Sequence, residues 1–204
     1  VPYIMPLLAV ITIGMVIRPF SENLRYPLQT VGGLFALWYC SRTALLRLRW
    51  APSLGAISIG LLVCAIWFLV RRQAFTVQIA GLSVIQPAAP AILPGASWNV
   101  FRLLGAVLIE PVVEEMAFRG YLLRRLIAAD FDSVAQGRFT WVSFLGSSIV
   151  FGLLHQQWYL GIFAGMAFAA AIYQRGRLSD AILSHVLANG LLATSIFFNG
   201  GWLM

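Results

Sequence analysis

The chain predicts an all-α fold, a polytopic bundle of about seven membrane-spanning helices with six or eight as the bounds. Three observations lead there. Of its 204 residues 60% are hydrophobic and only 10% charged, with a mean hydropathy of +0.85, where a soluble domain carries about 25% charged residues. Several uncharged windows approach the length of about 20 residues that a helix needs to cross hydrocarbon. The few polar groups are also clustered: three of the seven acidic residues (Glu110, Glu114, Glu115) lie within six positions, and both histidines fall in apolar segments.

The uncharged runs place the elements in order. Residues 1–17 form a short first span containing Pro2 and Pro6, and its lack of a basic leading region reads as a span rather than a signal peptide. Residues 26–41 make the second span, and 50–70 the third, closed by Arg71-Arg72. Residues 74–97 hold Pro87, Pro90 and Pro94, a spacing that breaks helix and predicts a loop outside the membrane or at its surface. Residues 98–128 form a long helix carrying the acidic cluster, kinked at Pro111. Residues 139–174 stay uncharged for 36 positions, about 54 Å of straight helix, too long for one crossing and short for two. A break at Gln156-Gln157-Trp158 divides this run into two helices of about 25 Å each and leaves His155 at depth beside a recessed turn. Residues 181–204 form the last span.

All fourteen basic residues are arginine, and the formal net charge is +7. In a membrane chain these arginines cap helix ends and orient them, which sets nucleic acid aside as a partner. The connections after spans two, four and six hold Arg42, Arg47 and Arg49, then Arg124, Arg125 and Arg138, then Arg175 and Arg177. That alternation puts the N-terminus in the cytoplasm, with Arg71-Arg72 on the wrong side. An arginine-heavy, compact chain points to a bacterial inner membrane. Cys40 and Cys64 lack CxxC spacing and read as small buried hydrophobes. Gly161-x-x-x-Gly165 is a common helix-contact pattern.

An ionised group at the bilayer centre costs about 3 kcal/mol or more, so such groups face a polar interior and mark function. Residues four apart share a helix face, which aligns Glu110 with Glu114 and Glu115 with Arg119. The reading that follows gives Glu115 and Arg119 an ion pair and turns Glu114, about 100° away, into a cavity. Two adjacent carboxylates repel in a low dielectric, which favours a shared proton and suits proton transfer. His185 and Asn189 share one face of the last span, where they can hold a water, a carbonyl oxygen or a metal. Taken singly, each group has a plainer reading. A buried His or Asn serves helix packing, Phe151 is core, Glu110 pairs with Arg102 or a backbone group, and neither Ser184 nor Ser195 has a nucleophile's context. Together, Glu114, Glu115, His155 and His185 are among very few ionisable groups at depth, spread over three helices.

Glu114-Glu115-x-x-x-Arg119, Phe151-x-x-x-His155 and His185-x-x-x-Asn189 resemble the three ordered motifs of the CAAX prenyl endopeptidase and bacteriocin-processing (CPBP, or ABI) family of intramembrane proteases. Phe118-Arg119-Gly120 and Phe151-Gly152-Leu153-Leu154-His155 agree, and the likeness covers roughly residues 98–195. It implies N-terminal membrane helices with a proline-rich loop over 1–97 and a catalytic helical core over 98–204, in one integral membrane domain. Glu114, helped by His155, would activate water. His185 and Asn189 would stabilise the oxyanion, and Glu115 with Arg119 would support the site. No cofactor is assigned: the pattern suits a metal-free glutamate mechanism, or Zn²⁺ held by Glu114, His155 and His185. The implied partners are membrane lipids and a membrane protein or peptide substrate, lipidated or carrying a C-terminal sorting signal. An ion-coupled transporter is the rival class, although no inverted repeat is evident; a non-catalytic immunity or scaffold protein is the other.

Overall fold

The computed structural model describes residues 2–51, 53–74 and 96–199. Among them the chain forms seven helical rods and no strand. Rod α1 is Met5–Ile17. Rod α2 starts at Glu22–Ala36, widens into a π-helical turn at Leu37–Ser41 and ends with Arg42–Leu46. Rod α3 is Leu54–Ala74. Rod α4 runs through Ala96–Leu104, a π stretch Gly105–Ile109, Glu110–Glu115, a second π stretch Met116–Leu122, and Leu123–Arg125. After a 3-10 turn at Phe131–Ser133 come α5 (Trp141–Leu153), α6 (Trp158–Arg175) and α7 (Leu178–Asn199).

Each expected span corresponds to one rod, with shifted ends. The third does not stop at Arg71-Arg72 but continues to Ala74, since arginine is a good helix former and is favoured near a helix C-terminus. The proline-rich stretch 74–97 lies outside the described residues except at its ends, where Ala74 closes α3 and Ala96 opens α4. The 139–174 run does break before Trp158, with Gln157 as the N-cap of α6. Its halves are unequal: α5 has 13 residues and α6 has 18, about 20 and 27 Å long. Thr140 starts α5 by accepting the Ser143 N–H at 3.1 Å, and Gly176 ends α6 in the left-handed region (φ 62°) that glycine adopts without strain.

The rods α5 and α6 form a tight hairpin along small residues. A Cβ on Gly165 would sit 3.0 Å from the Ser148 Cα, and one on Gly152 would sit 2.6 Å from the Ile162 nitrogen and 2.7 Å from the Trp158 oxygen. Rod α7 packs against α3, α4 and α6. Its buried Ser184 hydroxyl is shared between the carbonyls of Asp180 (2.8 Å) and Ala56 (2.9 Å). That places the serine as a tie to α3 rather than a nucleophile. One apolar cluster joins Phe118, Phe151, Phe168 and Ala188, and a second joins Val10, Val113, Ile172 and Ile182. At one end of the bundle the connections after α2, α4 and α6 close around a common cavity. Cys40 and Cys64 are free thiols.

Among the described residues, no helix is long and apolar enough to cross a membrane.

The hairpin contact is testable by glycine substitution. Gly152→Ala should cost about 1–3 kcal/mol, the range for overpacking a tight contact, because backbone atoms stand where its methyl would go. Gly190→Ala meets only Val107 Cγ1 at 3.6 Å and should be neutral or slightly stabilising. Thermal unfolding in detergent compares the two, and equal melting points would contradict this packing.

Candidate active site

The acidic cluster sits where α4 departs from regular α-helix. Pro111 has no N–H, and its ring would clash with the carbonyl four residues earlier. The helix answers by widening rather than breaking: Gly105–Ile109 is π-helical, and the Glu110 N–H bonds the Gly105 oxygen five residues back. Glu110–Glu115 is regular helix, and Met116–Leu122 widens again. Such π segments recur at functional sites because they free carbonyls and turn side chains.

Glu115 and Arg119 are both fully buried, and the arginine Nη1 donates to Glu115 Oε1 at 3.0 Å. A second arginine nitrogen, Nη2, donates to the Gly165 carbonyl of α6 at 2.7 Å. Glu115 Oε1 also faces the Nδ1 of His185 on α7 at 2.9 Å. A carboxylate oxygen accepts, so that imidazole nitrogen carries the hydrogen. Three helices are thus joined through one buried ion pair. Around it stand aromatic rings. The Arg119 guanidinium lies 4.4 Å from the Phe151 centroid and 5.7 Å from that of Phe168. The His185 ring stacks on Phe168 at 4.4 Å. Quadrupolar ring faces stabilise a desolvated cation.

Glu114 lies on the next face and keeps 17% of its side chain exposed. Its Oε2 is 4.0 Å from the Nε2 of His185, so carboxylates stand at both edges of that ring. His155 ends the α5 side of the turn, with Nδ1 2.9 Å from the Phe151 carbonyl. A carbonyl accepts only, so Nδ1–H donates and Nε2 keeps a lone pair in the neutral ring. The Phe151 ring touches both imidazoles, at 4.7 Å to His155 and 5.7 Å to His185. The two histidines therefore share one neighbourhood, although they come from opposite ends of their helices. Among the described residues no hydrogen bond or ion pair joins Glu114 to His155. Asn189 gives one amide hydrogen to the Ala106 carbonyl at 2.8 Å, inside the first π stretch.

Several participants escaped the sequence reading. Phe168 and the Gly165 carbonyl have no signal beyond the small-residue spacing of α6. Phe151, read as core, packs on both histidines and on Arg119. Glu110, set aside as a partner of Arg102, stands one helical turn before Glu114 on the same rod. Its alignment with Glu114 was the available clue. No three His, Cys, Asp or Glu side chains among the described residues gather closely enough to hold a metal ion. Glu114, His155 and His185 as placed do not form the three-ligand group that a catalytic zinc takes.

Removing one partner of a buried pair strands the other's charge. Glu115→Leu should cost about 3–5 kcal/mol, and Glu115→Leu with Arg119→Met should recover part of that loss. A double-mutant cycle on unfolding midpoints measures the coupling; additive losses would contradict it.

Residues 96–191 match the family model of type II CAAX prenyl endopeptidase Rce1-like proteins. No curated protein and no solved structure matches the chain. The matched segment contains Glu114, Glu115, Arg119, His155, His185 and Asn189, along with the buried pair that ties α4, α6 and α7 together. The segment 96–191, which holds the whole constellation, is thus similar to the Rce1-like type II CAAX prenyl endopeptidases.

Proposed function

We propose that the chain is a membrane-embedded endopeptidase in which Glu114 activates a water held beside His155. The observation that carries this reading is the placement of Glu114. It is the one carboxylate of the adjacent pair left partly exposed, 4.0 Å from an imidazole whose other edge is anchored by Glu115. The attacking water gives a proton to Glu114 as its oxygen bonds the scissile carbonyl carbon. The Nε2 lone pair of His155 orients that water. The proton then passes to the departing amine. To donate to the oxyanion, His185 carries hydrogen on Nε2 as well as Nδ1, and Glu114 and Glu115 supply the counter-charge. With Arg119 the four groups sum to zero, which keeps the desolvation cost down. The second amide hydrogen of Asn189 completes the oxyanion site.

The reaction runs through the chain's own carboxylate and imidazoles, and the poor fit of the three candidate ligands to zinc supports that choice. The seven rods cross a bacterial inner membrane with the N-terminus in the cytoplasm, and the α5–α6 turn stays recessed. The substrate is a membrane-associated protein or peptide, cut near its C-terminus or at a leader.

Glu114→Gln should lower kcat for peptide cleavage in liposomes by about 10²–10⁴, the usual contribution of a general base, with an unchanged melting point. His155→Ala should lose less. Full activity in Glu114→Gln would end the proposal, and lost ion flux in place of lost cleavage would make the chain a carrier. Metal chelators should leave the rate unchanged, whereas a loss restored by added Zn²⁺ would move the chemistry to a metal.

A further inference from the structure

Independently of that reading, a second polar site stands at the N-terminal end of α7, about two turns before His185. A cavity of about 660 Å³ opens where the connections after α2, α4 and α6 meet, and four arginines line it: Arg47, Arg49, Arg175 and Arg177. One acid, Asp132, shares the lining, and its carboxylate lies 3.8 Å from Arg124. The balance of the walls is strongly positive.

The cavity is built, not incidental. Ser179 donates its hydroxyl to the Arg49 carbonyl at 2.8 Å, which fixes the segment after α2 against the start of α7. Arg175 donates to the Ala51 carbonyl at 2.9 Å and to both oxygens of Asp180, so it is held in place. The Gln136 side chain accepts the Leu178 N–H at 3.1 Å and brings in the segment after α4. The other three guanidinium groups, of Arg47, Arg49 and Arg177, have no hydrogen-bond or ion-pair partner among the described residues. Like charges lining one hollow repel, and an anion among them turns that repulsion into attraction. Planar guanidinium forks match the oxygen spacing of a phosphate, which can accept from two or three at once.

We propose that this cavity binds a phosphate group, presented by an anionic lipid headgroup or by a free phosphorylated solute. Its volume falls within the range of small-ligand sites. A bound phosphate bridges the segment after α2 to the α6–α7 turn and locks the base of the helix that carries His185. No catalytic residue touches it.

The test reads binding rather than cleavage. The full chain is placed in nanodiscs of phosphatidylcholine, with or without phosphatidylglycerol, and its unfolding midpoint is recorded. A parallel arm adds inorganic phosphate to the phosphatidylcholine discs, against chloride at matched ionic strength. A ligand that binds only the folded state raises the midpoint. A rise with phosphatidylglycerol alone supports the proposal with a lipid headgroup as ligand, and a rise with inorganic phosphate supports it with a solute. Arg47→Gln/Arg49→Gln should weaken either response at least about tenfold, as expected for lost charge-assisted bonds. Arg125→Gln, an exposed arginine away from the cavity, should keep it. Each variant is compared with its own midpoint in chloride and phosphatidylcholine. No rise in either arm, a rise that survives the double substitution, or equal loss in Arg125→Gln would overturn the proposal.

Discussion

Burying an arginine and a glutamate side by side is costly, because each loses its water and recovers the cost only through good geometry and further hydrogen bonds. The Glu115–Arg119 pair meets that condition in part, by recruiting the Gly165 carbonyl and His185 Nδ1 from two other helices, while Glu115 Oε2 and Arg119 Nε stay buried with no hydrogen-bond partner. The rest of the site follows from this arrangement. The arginine needs α6 close, so the α5–α6 crossing is lined with glycine and serine. The glutamate needs a donor from α7, which fixes the face that His185 presents. The rings of Phe151 and Phe168 occupy the space between and keep water away from the pair.

Glu114 has the opposite environment on the same turn of helix. Adjacent residues on an α-helix point about 100° apart, so one acid can be sealed in while its neighbour stays within reach of solvent. The two π-helical stretches on either side make that division possible. The first absorbs Pro111 and frees the Ala106 carbonyl for Asn189. The second begins at Met116, directly after the pair.

Much of this was legible in the residues. The seven rods follow the uncharged runs because apolar length and helix length are the same constraint. The i,i+4 spacing of Glu115 and Arg119 foretold their bond, and the break before Trp158 followed from a run too long for one helix. What escaped was set by tertiary contact. Neither the carbonyl of Gly165 nor the ring face of Phe168 differs in sequence from any other glycine or phenylalanine. The expectation that both halves of the 139–174 run would be equal failed mainly at α5, which begins only after its Thr140 N-cap and ends at Leu153, before His155, while α6 gains just Arg175. The three arginine-bearing connections were expected on one side of a membrane. Their closure around a single hollow depends on hydrogen bonds from Ser179, Gln136 and Arg175 that no spacing rule reveals.

The brevity of α5 carries a mechanical implication. Thirteen residues of helix reach only about 20 Å, some 10 Å less than the acyl region of an ordinary bilayer. In the membrane-spanning arrangement proposed above, lipids against that face would tilt and shorten, and the leaflet would dimple toward the turn that bears His155. A dimple of this kind lets headgroups and their hydration descend to a depth where a peptide backbone could leave its helix without facing bare hydrocarbon. The hairpin's short reach would then serve as an entry ramp.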